Sequence, residues 1–156
     1  KRSSKKKEIK RKIYLDTSVI SALFDSRTPE RMELTKASWE TINNYNVYIS
    51  ELVVDELRAA PVEKRKQFMD TISKYTVLNI TKEAENLAND YINEGIFPEK
   101  YIDDALHVAI ASINDIRYIL SWNFKHLVKV KTRRMVSLLN TKLDYPTIEI
   151  IAPPEL

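Results

Sequence analysis

From residue 12 onward, short apolar runs alternate with longer stretches in which apolar residues recur every three or four positions. The first kind of pattern reads as buried strands and the second as helices packed on one face. Residues 12–16 predict a first strand, and Val19, Ile20, Leu23 and Phe24 predict the inner face of a helix after it. Pro29 stands at the start of a second helix, whose Met32, Leu34, Ala37, Trp39 and Ile42 face the interior up to Asn43. Residues 46–50, NVYIS, form the second predicted strand. Two helices follow, 51–60 and 62–74, separated at Pro61 because a proline drives the residue before it out of helical geometry. TVLNI (76–80) predicts a third strand, and a helix capped by Thr81 runs from there to Glu94 and ends at Gly95. The nearly all-apolar helix over 103–114, the strand RYILS (117–121), a helix over 131–143 and the strand TIEII (147–151) complete the series, which Pro153-Pro154 stops.

Strands that alternate with helices predict an α/β domain: a central parallel sheet of about five strands with helices on both faces. No internal repeat or interdomain linker interrupts it. In such sheets ligands bind beyond the carboxyl ends of the strands, so acidic residues at those ends are the ones to weigh. Asp16 closes the first strand, and Glu51, Asp55 and Glu56 follow the second within two helical turns. Asp103 and Asp104 open the helix that leads into the fourth strand, and Asn123 follows that strand. Each also has an ordinary explanation. Asp16 would serve as an N-cap, the Asp103-Asp104 pair would complement a helix dipole, and the acids after strand two would line an exposed helix face. Several carboxylates gathered at one edge, however, repel one another and resist ionisation unless a cation joins them.

Composition narrows the chemistry by what is missing. The 156 residues contain no cysteine, which removes disulfides, thiolate zinc sites and thiol nucleophiles together. The single glycine, Gly95, rules out a P-loop or a G-x-G-x-x-G phosphate cradle. The only histidines, His107 and His126, are too far apart for an H-E-x-x-H zinc motif. A metal site in this chain would therefore rest on carboxylates, which favour Mg²⁺ or Mn²⁺. The formal charge of +3 hides an asymmetry: residues 1–12 hold eight of the 25 Lys and Arg but one of the 22 acids, leaving 17 bases against 21 acids beyond them. Residues 1–11 are read as a basic, disordered arm preceding a domain over 12–152. No apolar run approaches the roughly 18 residues of a membrane span, and a cytoplasmic location is the expectation.

Four segments, LDTSVISALFD, ELVVDEL, DDALHVAIA and LSWNFKHL, stand in an order and spacing that resembles the PIN-domain nucleases, including the VapC-type toxins of toxin–antitoxin pairs. The resemblance spans about residues 12–151. It implies a Mg²⁺- or Mn²⁺-dependent endoribonuclease with a four-acid site, RNA as substrate and an antitoxin protein as partner, and it leaves a homodimer open. Carried over by motif, the acids are Asp16, Glu56 and Asp104. The fourth position, commonly Asp in that family, is Asn123 here, which weakens one ligand and leaves the metal count open. Asp103, next to the site, is placed to compensate. On this reading Asp16 and Asp104 hold metal, Glu56 binds it or orients its water, and Thr17 or Ser18 caps the first helix. His107 is expected to be a packed core residue or, failing that, a donor to a carboxylate. The basic stretch Lys125, Lys129, Lys131, Arg133 and Arg134 is either a solvated face or a phosphate-binding rim. A rival reading is a PIN-fold RNA- or protein-binding module with an impaired site, which Asn123 favours. A phosphatase of the haloacid-dehalogenase type fits poorly, since the second aspartate it needs falls on Ser18.

Overall fold

The computed structural model describes residues 10–156. Five strands form one wholly parallel sheet in the order β3-β2-β1-β4-β5: β1 (Lys12–Leu15), β2 (Asn46–Ser50), β3 (Thr76–Leu78), β4 (Tyr118–Leu120) and β5 (Glu149–Ile151). The helices are α1 (Thr17–Ala22), α2 (Pro29–Asn43), α3 (Glu51–Arg58), α4 (Val62–Ile72), α5 (Lys82–Asn93), α6 (Ile102–Ile113) and α7 (Val130–Lys142). Short 3-10 turns occupy Glu99–Tyr101 and Pro153–Glu155. The expected α/β class, strand number and alternation all hold.

The chain winds outward from β1 to β2 and β3, then returns across β1 to add β4 and β5 on the other side. Right-handed crossovers in opposite directions put the two groups of helices on opposite faces. The contacts agree: α1 packs with α2, α3 and α4, and α5 packs with α6. The reversal falls between β1 and β4, paired in register with Leu15 opposite Leu120. The crevice beyond that pair is where such sheets bind ligands.

Ile13, Tyr14 and Leu15 are fully buried because the central strand is covered on both sides. Strand ends are shorter than the apolar runs suggested. Residues 79 and 80 leave the sheet, and the Ile80 amide donates instead to the Glu51 carboxylate at 2.7 Å. The last turns of α1, α3 and α4 also stop short of the expected ends. Gly95 takes a φ of +75° after α5, and the Ile96 amide bonds back to the Tyr91 carbonyl at 3.0 Å, a Schellman closure. With no other glycine in the chain, Asp115 (φ 57°) and Asp144 (φ 65°) take the same position after α6 and α7.

Most of the basic arm expected over residues 1–11 lies outside the described residues. Arg11 belongs with the sheet, since its carbonyl accepts from the Asn46 amide at 2.9 Å. Among the described residues no helix is long and apolar enough to cross a membrane.

Candidate active site

Asp16 leaves the end of β1 with its amide still donating to the Leu120 carbonyl at 3.2 Å, so the backbone fixes it at the β1–β4 crevice. Its side chain is only 4% exposed. One carboxylate oxygen accepts from the Ser18 hydroxyl, and the other from Ser121 at 2.6 Å. Burial raises the Asp16 pKa above the ordinary carboxylate range, against the opposing pull of His107 and the two hydroxyls.

Asp16 occupies the N-cap position of α1, but its side chain makes no capping bond. The expected cap from Thr17 or Ser18 is also absent. Thr17 donates to Glu56, and Ser18 donates to Asp16 while accepting the Trp122 amide at 2.9 Å. A cap would need the hydroxyl oxygen to accept an amide of α1, but each hydroxyl is instead oriented to donate to a carboxylate, and Ser18 accepts the amide of Trp122 from outside the helix.

Glu56 comes from the second turn of α3, on the half-buried side. Its Oε1 lies 2.9 Å from His107 Nε2 and also accepts from Thr17. Burial works to raise the Glu56 pKa, but these donors outweigh it and hold the group below its ordinary value. His107 lies on α6 and is buried, and its other nitrogen sits 2.7 Å from the Tyr14 hydroxyl. Tyr14 in turn lies 2.7 Å from Ser50 Oγ, which accepts the Val53 amide and so caps α3. Burial keeps Tyr14 protonated. For a neutral His107, these distances allow the donors to run in one direction, from the Val53 N–H through Ser50, Tyr14 and His107 to Glu56, with the ring proton on Nε2. Burial disfavours charge on His107, yet the hydrogen bond to Glu56 and the fields of Asp16 and Asp104 raise its pKa overall. Of the two roles expected for His107, the structure shows the carboxylate donor.

Asp104 opens α6, partly buried, with its pKa raised by burial and by the charges of Asp16 and Glu56, against the pull of His126 and His107. Asn123 Nδ2 donates to Asp104 Oδ1 at 3.3 Å, and His126 Nδ1 lies 3.8 Å from Oδ2. The Asn123 oxygen is turned away and accepts the His126 amide at 2.9 Å. Asn123 thus offers the site an N–H group, where an acid would offer a ligand oxygen. Asp103, one residue before, is exposed, and no hydrogen bond among the described residues joins it to the cluster. Glu51 and Asp55 are exposed as well.

Three carboxylates from β1, α3 and α6 therefore converge closely enough to shift one another's ionisation. All their donors are oxygens, the chemistry Mg²⁺ and Mn²⁺ take. Among the described residues no group of three acidic or histidine side chains is already set at ligating distances, so a cation would draw on fewer protein ligands plus water, as Mg²⁺ ordinarily does.

A sequence model of the PIN domain matches residues 13–125. The chain belongs to the PIN domain family. The match takes in β1 through β4 and every acidic residue of the cluster. No curated protein matches the chain by sequence. Among solved structures, VapC20 of Mycobacterium tuberculosis, a sarcin-ricin loop cleaving toxin, is similar with a TM-score of 0.57 and 20% identity, covering 73% of this chain and 92% of that one. VapBC2 from Rickettsia felis, bound to a promoter DNA fragment, gives 0.54 and 13% over 89% and 96% of the two chains. VapBC-5 from Mycobacterium tuberculosis, of the VapBC family of toxin–antitoxin systems, gives 0.54 and 18% over 90% and 98%. At these identities the likeness is one of PIN fold.

Sequence reasoning did not foresee Thr17, Ser18, Ser121 or His126 beside the PIN-domain acids, nor Tyr14 behind His107. For Ser121 the missing information was strand order. Once β4 is known to lie beside β1 with Leu15 opposite Leu120, the next residues of each strand, Asp16 and Ser121, must meet.

Proposed function

We propose that the chain is a divalent-metal-dependent endoribonuclease, the toxin of a toxin–antitoxin pair acting on cytoplasmic RNA. The observation that carries this is the convergence of Asp16, Glu56 and Asp104 at the β1–β4 crevice, with burial and mutual repulsion raising two of the three pKa values. A surplus of buried negative charge costs stability unless a cation offsets it. PIN-family membership and the likeness to VapC20, a sarcin-ricin loop cleaving toxin, and to VapBC toxin–antitoxin structures support RNA as the substrate and an antitoxin as the partner.

Asp16 and Asp104 would hold Mg²⁺ or Mn²⁺. When bound, the cation lowers the pKa of its water and neutralises charge building on the phosphate. Ser18 and Ser121 fix the Asp16 carboxylate in one orientation. Glu56 stays ionised because His107 and Thr17 hold it so, and its second oxygen, free of described hydrogen bonds, can take a proton from the attacking water. No side chain need form a covalent intermediate. Asn123 steadies Asp104 through its N–H.

The test is cleavage of a defined RNA set with Mn²⁺, alongside Asp16→Asn. Metal-dependent scission by the wild type and none by the variant supports the reading. RNA binding without scission would favour the rival, a binding module, for which the Asn123 position and the incomplete ligand grouping speak.

A further inference from the structure

The basic stretch after β4 divides in the structure. Arg133 turns inward, with a guanidinium nitrogen 3.3 Å from the Ile150 carbonyl. Lys131 and Arg134 point to solvent. Lys125 and Lys129 are exposed too, but they line an open cavity of about 370 Å³, together with Lys100 and Tyr101 from the turn before α6. His126 forms part of the same wall, and Phe97, Pro98 and Ile96 form its apolar side. The lining contains three lysines and a histidine and no carboxylate. Among the described residues none of those lysines forms an ion pair.

The position of this cavity gives it a direction. His126 belongs to both sites: its ring packs against Tyr101, with centroids 3.7 Å apart, and its Nδ1 lies 3.8 Å from Asp104. Lys100 Nζ sits 5.2 Å from the Tyr101 ring centre. The cavity thus opens one side chain away from the acidic cluster, with charge of the opposite sign. The helix itself gains nothing from Lys129 at its N-cap or Lys131 in its first turn, since cations are disfavoured there.

We propose that this cavity is a nucleotide subsite: Lys100, Lys125 and Lys129 grip a phosphate of the RNA strand adjoining the bond cut at the acidic cluster, and Ile96, Pro98 and Tyr101 contact its sugar and base. The assignment rests on the ribonuclease reading for the identity of the strand, and on the cavity alone for its anionic character. Lysines offer point charges to phosphate without reading bases, so this subsite positions the strand and is indifferent to its sequence.

The test is fluorescence anisotropy of a labelled short single-stranded RNA of mixed sequence, measured in EDTA so that no cleavage intervenes. Lys125→Ala/Lys129→Ala is compared with the outward pair Lys131→Ala/Arg134→Ala at several salt concentrations. The cavity pair should weaken binding about tenfold and flatten the log–log salt slope by roughly 0.7 for each phosphate that is no longer neutralised. The outward pair should stay within about twofold of wild type. With Mn²⁺, the cavity pair should raise KM and leave kcat nearly unchanged. Equal losses in both pairs, or none in either, overturn the subsite. So does unchanged RNA binding together with lost binding of a polyglutamate peptide, which would make the surface one for an acidic protein. If wild type binds RNA through the cavity but never cleaves it, the subsite stands and the nuclease reading falls.

Discussion

Two buried polar networks in this protein are built from similar groups and end differently. Between α5, α6 and α7, the Tyr91 hydroxyl donates to Asn140 Oδ1, and the Asn140 amide donates to Ser112 Oγ and to the Pro146 carbonyl, each at 2.9 Å. Ser112 passes its own proton to the Val108 carbonyl at 2.8 Å. Every donor there has an acceptor, no group is charged, and burial keeps Tyr91 protonated. The network around Asp16, Glu56 and Asp104 also draws on a tyrosine, serines and an asparagine, yet its donors run out before its acceptors do. Three carboxylates share two serines, a threonine, a histidine and one amide, and Glu56 keeps an oxygen with no described partner. A closed neutral network contributes rigidity. An open anionic one costs stability, and its excess of acceptors and negative charge marks it as a site.

The sharpest way to break this contrast is to neutralise one acid. Asp16→Asn should lower metal-dependent RNA cleavage by at least about 10²–10³-fold, while the metal-free protein melts no lower than wild type because a buried charge has gone. Near-wild-type turnover in that variant would remove the acidic edge from the chemistry. The closed network should respond the other way. Asn140→Ala strands the Pro146 carbonyl and leaves the Tyr91 hydroxyl only Ser112 Oγ, 3.2 Å away, and should cost about 2–4 kcal/mol in denaturant unfolding. Activity per folded molecule should be unchanged. A large loss of kcat in folded Asn140→Ala protein would blur the distinction.

The pH dependence of stability separates the networks further. Asp16 and Asp104 have raised pKa values in the folded, metal-free protein, as does His107. At these three groups the native state holds more protons than the unfolded chain, so their contribution to stability falls as pH rises. Glu56, whose pKa is lowered, acts in the opposite sense. The expected result in EDTA is a melting temperature that declines from about pH 4 to pH 7, with a shallower decline in Asp16→Asn. An increase over that range would contradict the assigned directions. The smallest effect is expected at Asn123. Asn123→Asp sets a second carboxylate against Asp104 in place of an N–H, so the metal-free protein should melt ~2–4 °C lower. Mn²⁺ should bind more tightly and restore the loss. Equal affinity and stoichiometry in both proteins would place residue 123 outside any metal site.

How much of this is legible in the sequence depends on range along the chain. The strands and helices are legible because their apolar periodicity is local; Asp16 and Asp104 stand out because one lies just beyond a predicted strand and the other at a helix start, whereas only the resemblance to PIN domains separates Glu56 from Glu51 and Asp55. The partners of those acids are not legible. Ser121 meets Asp16 across 105 positions and His107 meets Glu56 across 51, contacts that only strand order determines. Thr17 and Ser18 read as caps because a hydroxyl at a helix start usually bonds the backbone, and the carboxylates beside them reverse that preference. Adjacency groups Asp103 with Asp104, whereas neighbouring residues at a helix start point about 100° apart, and here Asp104 is partly buried while Asp103 is exposed. The same limit applies to the basic stretch after β4, whose residues look alike in sequence and divide between the cavity, solvent and the sheet edge.

The central claim is that the acidic edge is a binding site for a divalent cation. Calorimetric titration of Mn²⁺ into the wild-type protein and into Asp16→Asn tests it most directly. The account predicts a saturable site in the wild type, accompanied by a rise in melting temperature, and no saturable site in the variant. Heat that fails to saturate in the wild type, or identical isotherms in the two proteins, would contradict it.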